Sequence, residues 1–181
     1  MDSDNPEERL LLRNSWSDSF EDLYQLGIDI YARAFELCPE ILNQFPTLCD
    51  LERDMATGIV DQEALKSKKE FREQVLRFVQ TLTKAVSVYS IGQTSIQEDY
   101  DNELIKLGAK HKDFMNAGFK SEHWNHLEQA LLDVIGARLE NPANSEKPSF
   151  RVCVRAKSAT LLCWRKTAAH IFATLKHGFY P

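Results

Sequence analysis

Apolar residues recur every three or four positions along most of the chain, which is the period of an amphipathic helix. Alternating strand patterns are essentially absent, and only seven glycines and six prolines interrupt the sequence. The pattern therefore predicts an all-α fold. We find no internal repeat and no low-complexity segment, so we expect residues 1–181 to form a single domain after a short polar extension, residues 1–5.

Six segments with this period are predicted to be helices. They are an opening helix with Leu12, Trp16 and Phe20 inward, residues 22–37, residues 69–89, a segment around His111, residues 121–139 and residues 149–177. Asn5 and Pro6 are typical of the start of the first helix. Pro39 begins a short turn after the second. Residues 46–69 and 90–101 are polar and predict long connections, the first with room for one short helix.

Composition and charge exclude some classes of function and indicate a location for the protein. The chain is 43% hydrophobic and 27% charged, with a formal net charge of -5, so it lacks the basic surface that nucleic-acid binding requires. No apolar run approaches the roughly 20 residues of a membrane span, and the first residues do not resemble a signal peptide. We therefore expect a cytoplasmic protein. Four cysteines form no C-x-x-C pair, which favours idle or buried thiols.

One histidine lies on a predicted apolar face. His111 follows Leu104 and Leu107 by seven and four residues and precedes Phe114 and Met115 by three and four. This spacing aims the imidazole at the core, where it needs a polar partner. Taken alone, the pattern more often marks a hydrogen-bonded core histidine than a metal ligand.

Two further polar residues interrupt apolar faces. Gln74 lies three residues after Phe71 and four before Phe78, and Tyr31 lies four before Phe35. A buried tyrosine bonded to a backbone carbonyl is the simpler interpretation of Tyr31. Together with His111, however, these residues favour a shared polar object inside an apolar helical shell, such as an iron porphyrin that carries a diatomic ligand.

The chain resembles the globins over about residues 6–180, and most of all the invertebrate and neuroglobin-like branch. The resemblance begins with RNSW, which contains Trp16, and continues through LGIDIYARAFELCPEILNQFP, which contains the helix-starting Pro39 and the haem-stacking Phe45. Two later segments match in order, EFREQVLRFVQTLTKAV with Gln74 at the distal position and LIKLGAKH with His111 at the proximal position. The C-terminal WRKTAAHIFATLKHGF also resembles neuroglobin-like chains.

The resemblance implies a three-over-three helical sandwich around haem b, with His111 as the iron ligand and Gln74 and Tyr31 beside the bound gas. Further haem contacts are expected from Phe45, Phe78, Leu107, Phe119 and Trp124. Arg77, three residues past Gln74, could reach a haem propionate or lie on a solvated helix face.

Some features depart from compact globins. The chain is longer between Phe45 and Gln74, between Gln74 and His111, and just after His111, and residues 140–149 have turn composition, so we expect extended connections at all four places. Phe78 replaces a smaller aliphatic residue. Many neuroglobin-like chains carry a distal histidine that binds iron, whereas Gln74 cannot readily do so, and this predicts a five-coordinate ferrous haem.

The expected function is reversible binding of dioxygen with high affinity, for storage, scavenging, transport or sensing, with carbon monoxide and nitric oxide as other ligands. The chain is not expected to be primarily an enzyme. The alternative is a redox-active globin, or a nitric oxide dioxygenase or peroxidase, served by a separate electron-transfer reductase. The chain could be a monomer or a homodimer, and Cys49 could pair only with Cys38 near this end of the chain.

Overall fold

The computed structural model describes residues 5–48, 61–140 and 154–180. The regular structure in these ranges is helical, which confirms the all-α prediction. Seven α-helices are present within them, α1 Pro6–Asn14, α2 Phe20–Leu37, α3 Gln62–Ser67, α4 Lys69–Ile91, α5 Thr94–Lys110, α6 Glu122–Glu140 and α7 Val154–Phe179. Three 3-10 helices accompany them, at Pro39–Gln44, Pro46–Leu48 and His111–Ala117.

The long helices form two layers. Helix α4 contacts both α1 and α5, while α6 contacts both α2 and α7. Across the layers, α5 and α1 pack on α7, and α2 packs on α4. This arrangement is the three-over-three sandwich that the resemblance implies. No described helix combines the length and the apolar character needed to cross a bilayer.

The first helix begins as predicted and ends earlier. Asn5 Oδ1 accepts the backbone N–H of Glu7 at 3.0 Å, which caps α1. The helix ends at Asn14, yet Trp16 is still buried in the turn that follows. Phe20 instead begins α2 and is exposed, so its predicted inward orientation is wrong. The α-helical period does not continue through the intervening turn, so Phe20 does not share the buried side of Leu12 and Trp16.

The predicted long connection between Gln74 and His111 is also wrong. Helix α4 extends to Ile91 and α5 begins at Thr94, so only two residues separate them. Gly92 makes the reversal possible because its φ is 73°, in the left-handed region that favours glycine. The polar residues that suggested a loop form the solvent face of α5, whose inner face contains Tyr100 and Leu104. The additional residues between Gln74 and His111 therefore belong to α4 and α5 and not to the connection between them.

Other connections match more closely. Helix α3 is the short helix for which the polar stretch 46–69 had room. After His111 the chain forms a 3-10 helix and then residues 118–121 before α6, so this connection is extended as predicted. Residues 1–4, 49–60 and 141–153 lie outside the described part, and the predictions for the extended connections there and for Cys49 fall on them.

Two tryptophans join the layers. The rings of Trp16 and Trp164 lie 5.4 Å apart between centroids, and each indole finds a hydrogen-bond acceptor in the core. Trp16 donates to Thr83 of α4 at 3.2 Å, and Trp164 of α7 donates to Ser15 at 2.8 Å. These bonds fix α4 and α7 against the end of α1. Leu162 of the same helix α7 is exposed.

Candidate functional site

A cavity of about 520 Å³ lies between α4 and the end of α5, with α6 and α7 behind it. This volume is within the roughly 300–1,000 Å³ of cofactor cavities. A smaller cavity of about 150 Å³ adjoins it and shares Tyr31, Gln74 and His111 in its walls. The nine predicted site residues all line one or both cavities, and they are Tyr31, Phe45, Gln74, Arg77, Phe78, Leu107, His111, Phe119 and Trp124.

His111 is placed at the last turn of α5. Its Nδ1 lies 2.8 Å from the carbonyl oxygen of Leu107, and because a carbonyl only accepts, Nδ1 carries the proton. The other nitrogen, Nε2, therefore has a free lone pair. Burial lowers the pKa of His111, which favours the neutral imidazole that binds metals. Phe119 and Trp124 pack on the ring, with centroids 5.2 and 5.1 Å away.

The sequence argument for His111 was partly wrong. Leu104 and Leu107 do lie on the inner side, but Phe114 and Met115 are each 53% exposed. Helix α5 changes to a 3-10 helix at His111, and this tighter turn ends the α-helical spacing. Phe114 nevertheless lines both cavities, whereas Met115 lines neither. The imidazole still lines the cavity because His111 directly follows the last turn of α5 as its C-cap.

Tyr31 and Gln74 meet at the cavity wall. The Gln74 amide Nε2 donates a hydrogen bond to the Tyr31 hydroxyl at 3.0 Å. Since the hydroxyl accepts this bond, its own hydrogen is available to another acceptor. Tyr31 is only 3% exposed, and burial raises the pKa of Tyr31 to about 12, so the hydroxyl stays protonated at neutral pH. The pair therefore presents a hydrogen-bond donor.

A glycine in α2 brings these two residues together. A Cβ on Gly27 would lie 2.6 Å from Val79 Cγ2 and 2.7 Å from Val75 Cγ1, closer than atoms can approach. The absence of a side chain lets α2 cross α4 at short range, one turn before Tyr31. The Tyr31 ring then packs against Phe78 of α4, with centroids 5.3 Å apart.

The aromatic residues divide between the two cavities. Phe78 and Leu107 line the larger cavity, Phe45 and Phe119 line the smaller one, and Trp124 lines both. The Phe45 ring meets the Tyr31 ring edge-on at 5.9 Å. The walls are mainly apolar and suit a flat apolar cofactor.

Cations lie at the rim. Arg77 is largely exposed and lies 3.5 Å from the Glu73 carboxylate, so the structure retains both interpretations of this residue, a solvated helix face and a partner for a cofactor carboxylate. Lys110, which sequence reasoning missed, lines the same cavity from the end of α5. No ion pair to Lys110 is present among the described side chains, so its charge is available at the rim.

His123 was also missed. It is 2% exposed and lines the smaller cavity, and its Nδ1 accepts the backbone N–H of Lys120 at 3.3 Å. Its Nε2 is buried with no hydrogen-bond partner among the described residues. Burial, with a smaller contribution from Lys120, lowers the pKa of His123. The sequence carried little indication that His123 is buried, because adjacent residues of an amphipathic helix usually lie on different faces, and Trp124 is buried as well.

The remaining candidates lie elsewhere. Cys38 and Cys163 are free thiols, and the pairing of Cys38 with Cys49 stays a prediction because Cys49 is not described. His170 Nε2 lies 3.0 Å from both oxygens of Asp101, away from the cavity walls. Within the described ranges no group of three or more potential ligands is arranged around a metal position. In the larger cavity, His111 is the one histidine among the described lining residues, and a single neutral imidazole fits a metal whose other ligands come from a cofactor.

These features define a class of protein, an all-α fold with a porphyrin-sized apolar cavity whose wall carries the His111 imidazole and the Tyr31 hydroxyl donor. The family model for globins matches residues 28–161. The chain belongs to the globin family, and it is therefore a haem-binding protein. Among curated relatives it is 27% identical to a neuroglobin of Tetraodon nigroviridis over 141 residues, 77% of each chain.

Other relatives extend the comparison. The chain is 27% identical over 129 residues, 71% of each chain, to a Casuarina glauca protein named anaerobic nitrite reductase HBII. A hexacoordinated haem protein from an anhydrobiotic tardigrade has a TM-score of 0.69 at 16% identity, over 97% of this chain and 94% of that one. A Drosophila melanogaster globin has a TM-score of 0.68 at 21% identity, over 95% and 93%. The solved structures share the fold.

Proposed function

We propose that this globin binds dioxygen reversibly at a five-coordinate ferrous haem b, for storage, scavenging or sensing at low oxygen. The observation that carries the proposal is the hydrogen bond from Gln74 to the Tyr31 hydroxyl, which leaves a buried tyrosine hydrogen free to donate into the cavity. The haem would supply an iron that binds the gas, and the chain would supply its fifth ligand and its surroundings.

His111 would hold the iron through Nε2. The bond between Nδ1 and the Leu107 carbonyl fixes the ring orientation and raises the basicity of Nε2, as such an acceptor does for metal-binding histidines. Phe119 and Trp124 restrict the ring from its sides. At the rim, Arg77 and Lys110 would neutralise the cofactor's carboxylates.

Tyr31 would donate to the bound gas. Dioxygen on ferrous iron gains negative charge, so a donor aimed at it makes a charge-assisted hydrogen bond worth about 1.5–3 kcal/mol. That energy corresponds to a roughly 10- to 100-fold gain in affinity, expected mainly as slower release. Tight retention fits storage, scavenging or sensing better than delivery to respiring tissue.

The sixth position of the iron would be open. Among the described residues that line the two cavities, the only histidines are His111 and His123, and there is no cysteine or methionine. The His123 ring packs on the Phe119 ring with centroids 5.4 Å apart, and Phe119 in turn packs on the His111 ring. The resemblance to globins assigns Gln74 to the distal position, and an amide does not readily bind iron as a distal histidine does. The tardigrade neighbour, by contrast, is a hexacoordinated haem protein.

The test is an absorption and resonance Raman measurement of the ferrous protein without oxygen. We expect a five-coordinate, high-spin spectrum that changes to an oxygenated form in air and returns when oxygen is removed. A six-coordinate, low-spin spectrum would refute the open position. Replacement of His111 by alanine should weaken haem retention, and a fully stable complex in that variant would exclude His111 as the ligand.

A second use of the same site is reduction of nitrite, or more generally redox chemistry in which a reductase partner restores ferrous iron. Relatives from Casuarina glauca and Gossypium hirsutum, each 27% identical, carry the name anaerobic nitrite reductase. The Tyr31 hydroxyl could provide a hydrogen bond to nitrite as it does to dioxygen. Anaerobic mixing of the ferrous protein with nitrite, with release of nitric oxide as the readout, separates this activity from simple gas binding.

A further inference from the structure

Helices α5 and α7 touch through their backbones at two glycines. A Cβ built on Gly108 of α5 would lie 2.0 Å from the carbonyl oxygen of Leu175 in α7. A Cβ built on Gly178 of α7 would lie 1.9 Å from the carbonyl oxygen of Ile105 in α5. Gly108 therefore faces a carbonyl oxygen one turn before Gly178, and Gly178 faces a carbonyl oxygen one turn before Gly108. The contact is reciprocal.

The two helices are closer here than side-chain packing would allow. A β-carbon would need a distance of at least about 3 Å from a carbonyl oxygen, so a methyl group at either glycine would displace one backbone by about 1 Å or more. The obstructing atoms belong to backbone and cannot rotate aside. The Cα–H groups of the glycines can instead make weak contacts with these carbonyls.

The contact lies directly beside the iron ligand. Leu107, whose carbonyl lies 2.8 Å from His111 Nδ1, immediately precedes Gly108 in the chain. His111 itself follows Gly108 by three residues, within the same turn of helix. A displacement of α5 at Gly108 would therefore move both the imidazole and the carbonyl that orients it.

Helix α5 is also anchored about two turns earlier in the chain, at Asp101. The Asp101 carboxylate accepts a hydrogen bond from the Tyr89 hydroxyl of α4 at 2.7 Å and lies 3.0 Å from His170 Nε2 of α7. This second anchor limits the freedom of α5 to slide along α7. A displacement at Gly108 would therefore be transmitted towards His111 at the free end of the helix.

We propose that Gly108 and Gly178 are positioning residues that set how close α5 brings His111 to the haem iron, and thereby set the strength of the iron–histidine bond and the oxygen affinity. This inference rests on the proposed function, because it assumes that His111 is the iron ligand. Neither glycine lines the haem cavities, so the effect acts through His111.

The first test replaces each glycine by alanine in the full-length haem protein. We expect Gly178→Ala and Gly108→Ala to shift the iron–histidine stretching band of the ferrous protein and to change the oxygen dissociation rate by about 10- to 100-fold, the effect of a displacement near 1 Å at a reacting centre. Gly136→Ala is the matched control, because its Cβ would lie 4.0 Å from the nearest neighbour, Leu161 Cδ1. An unchanged band in both variants would overturn the proposal.

A third variant separates positioning from general loosening. Asp101→Asn weakens the other anchor between α5 and α7 and should lower the unfolding temperature while leaving the iron–histidine band in place. An equal shift of the band in this variant would mean that any weakening of the α5–α7 contact moves His111, and the specific role of the glycines would be refuted.

A last experiment needs no overpacked variant and applies even if both alanine variants fail to fold. In His111→Gly supplied with free imidazole, the iron ligand is no longer attached to α5. We expect the iron–nitrogen stretching band and the oxygen dissociation rate to differ from those of the wild type, and identical values would overturn positioning by α5. If the haem binds with no need for imidazole, the proposed function itself fails, which is a distinct outcome.

Discussion

Replacement of Tyr31 by phenylalanine should accelerate oxygen release more than removal of Gln74. Gln74 donates one amide hydrogen to the Tyr31 hydroxyl at 3.0 Å, and because the hydroxyl accepts this bond, its own hydrogen is available to the gas. The phenylalanine variant keeps the ring and its contacts with Phe45 and Phe78 and loses only the hydroxyl. The comparison therefore isolates a single donor.

Tyr31→Phe and Gln74→Leu remove different kinds of hydrogen bond, so the expected losses of binding energy differ. Tyr31→Phe removes a charge-assisted bond of about 1.5–3 kcal/mol, which predicts a 10- to 100-fold faster release of oxygen. Gln74→Leu removes a neutral bond of about 0.5–1.5 kcal/mol that orients the hydroxyl, which predicts a 2- to 10-fold change. The freed amide in Tyr31→Phe could turn towards the gas, so the lower end of the first range is the firmer expectation.

Stopped-flow displacement of oxygen by carbon monoxide measures both rates. Tyr24→Phe in the same helix is the matched control, because Tyr24 lines neither cavity, and it should leave the rate unchanged. Carbon monoxide gains less charge on iron, so its own dissociation should respond less to Tyr31→Phe. A larger effect of Gln74→Leu than of Tyr31→Phe would refute the order of donors, and equal rates in all variants would refute a donor role altogether.

Three further predictions concern stability. Gly27→Ala should lower stability by about 1–3 kcal/mol through overpacking against two α4 valines, and a denaturant titration that shows no loss would contradict the close crossing. Arg138 is 13% exposed and pairs with two aspartates of α2 at 2.9 and 3.0 Å. Arg138→Met should lower stability by about 1–3 kcal/mol because the carboxylates lose their cationic partner, and thermal unfolding measures this loss. Burial lowers the pKa of His123, so the unfolded chain binds a proton first as pH falls below about 6.5. The stability that neutral His123 provides is therefore present above that pH and lost below it, and His123→Gln should show a smaller loss than wild type between about pH 7.5 and 5.

Much of the architecture and of the site could be predicted from local patterns. Helical periodicity identified the long helices, because the apolar face of an amphipathic helix is written within a few turns of its own sequence. It also singled out Tyr31, Gln74 and His111, since a polar residue on such a face is visible without knowledge of its partner. The resemblance to globins then assigned these residues to one cavity, and the structure places all three in its walls.

Other features depended on interactions between distant segments. The sequence between α4 and α5 looked like a loop because a polar helix face and a polar loop have the same composition, and only packing against α7 separates them. Phe114 and Met115 are about half exposed because the chain tightens into a 3-10 helix after α5, which apolar spacing does not reveal.

Local sequence patterns by themselves determined most of the helical segments and the polar residues on their apolar faces, because these properties depend on neighbours within a turn or two. Tertiary structure alone decided that Gln74 donates to a tyrosine 43 residues away, and that Gly108 meets the backbone of α7. The physical reason is that helical periodicity specifies which face is buried but not which atoms of another helix meet it. Those contacts depend on the packing of all the helices together.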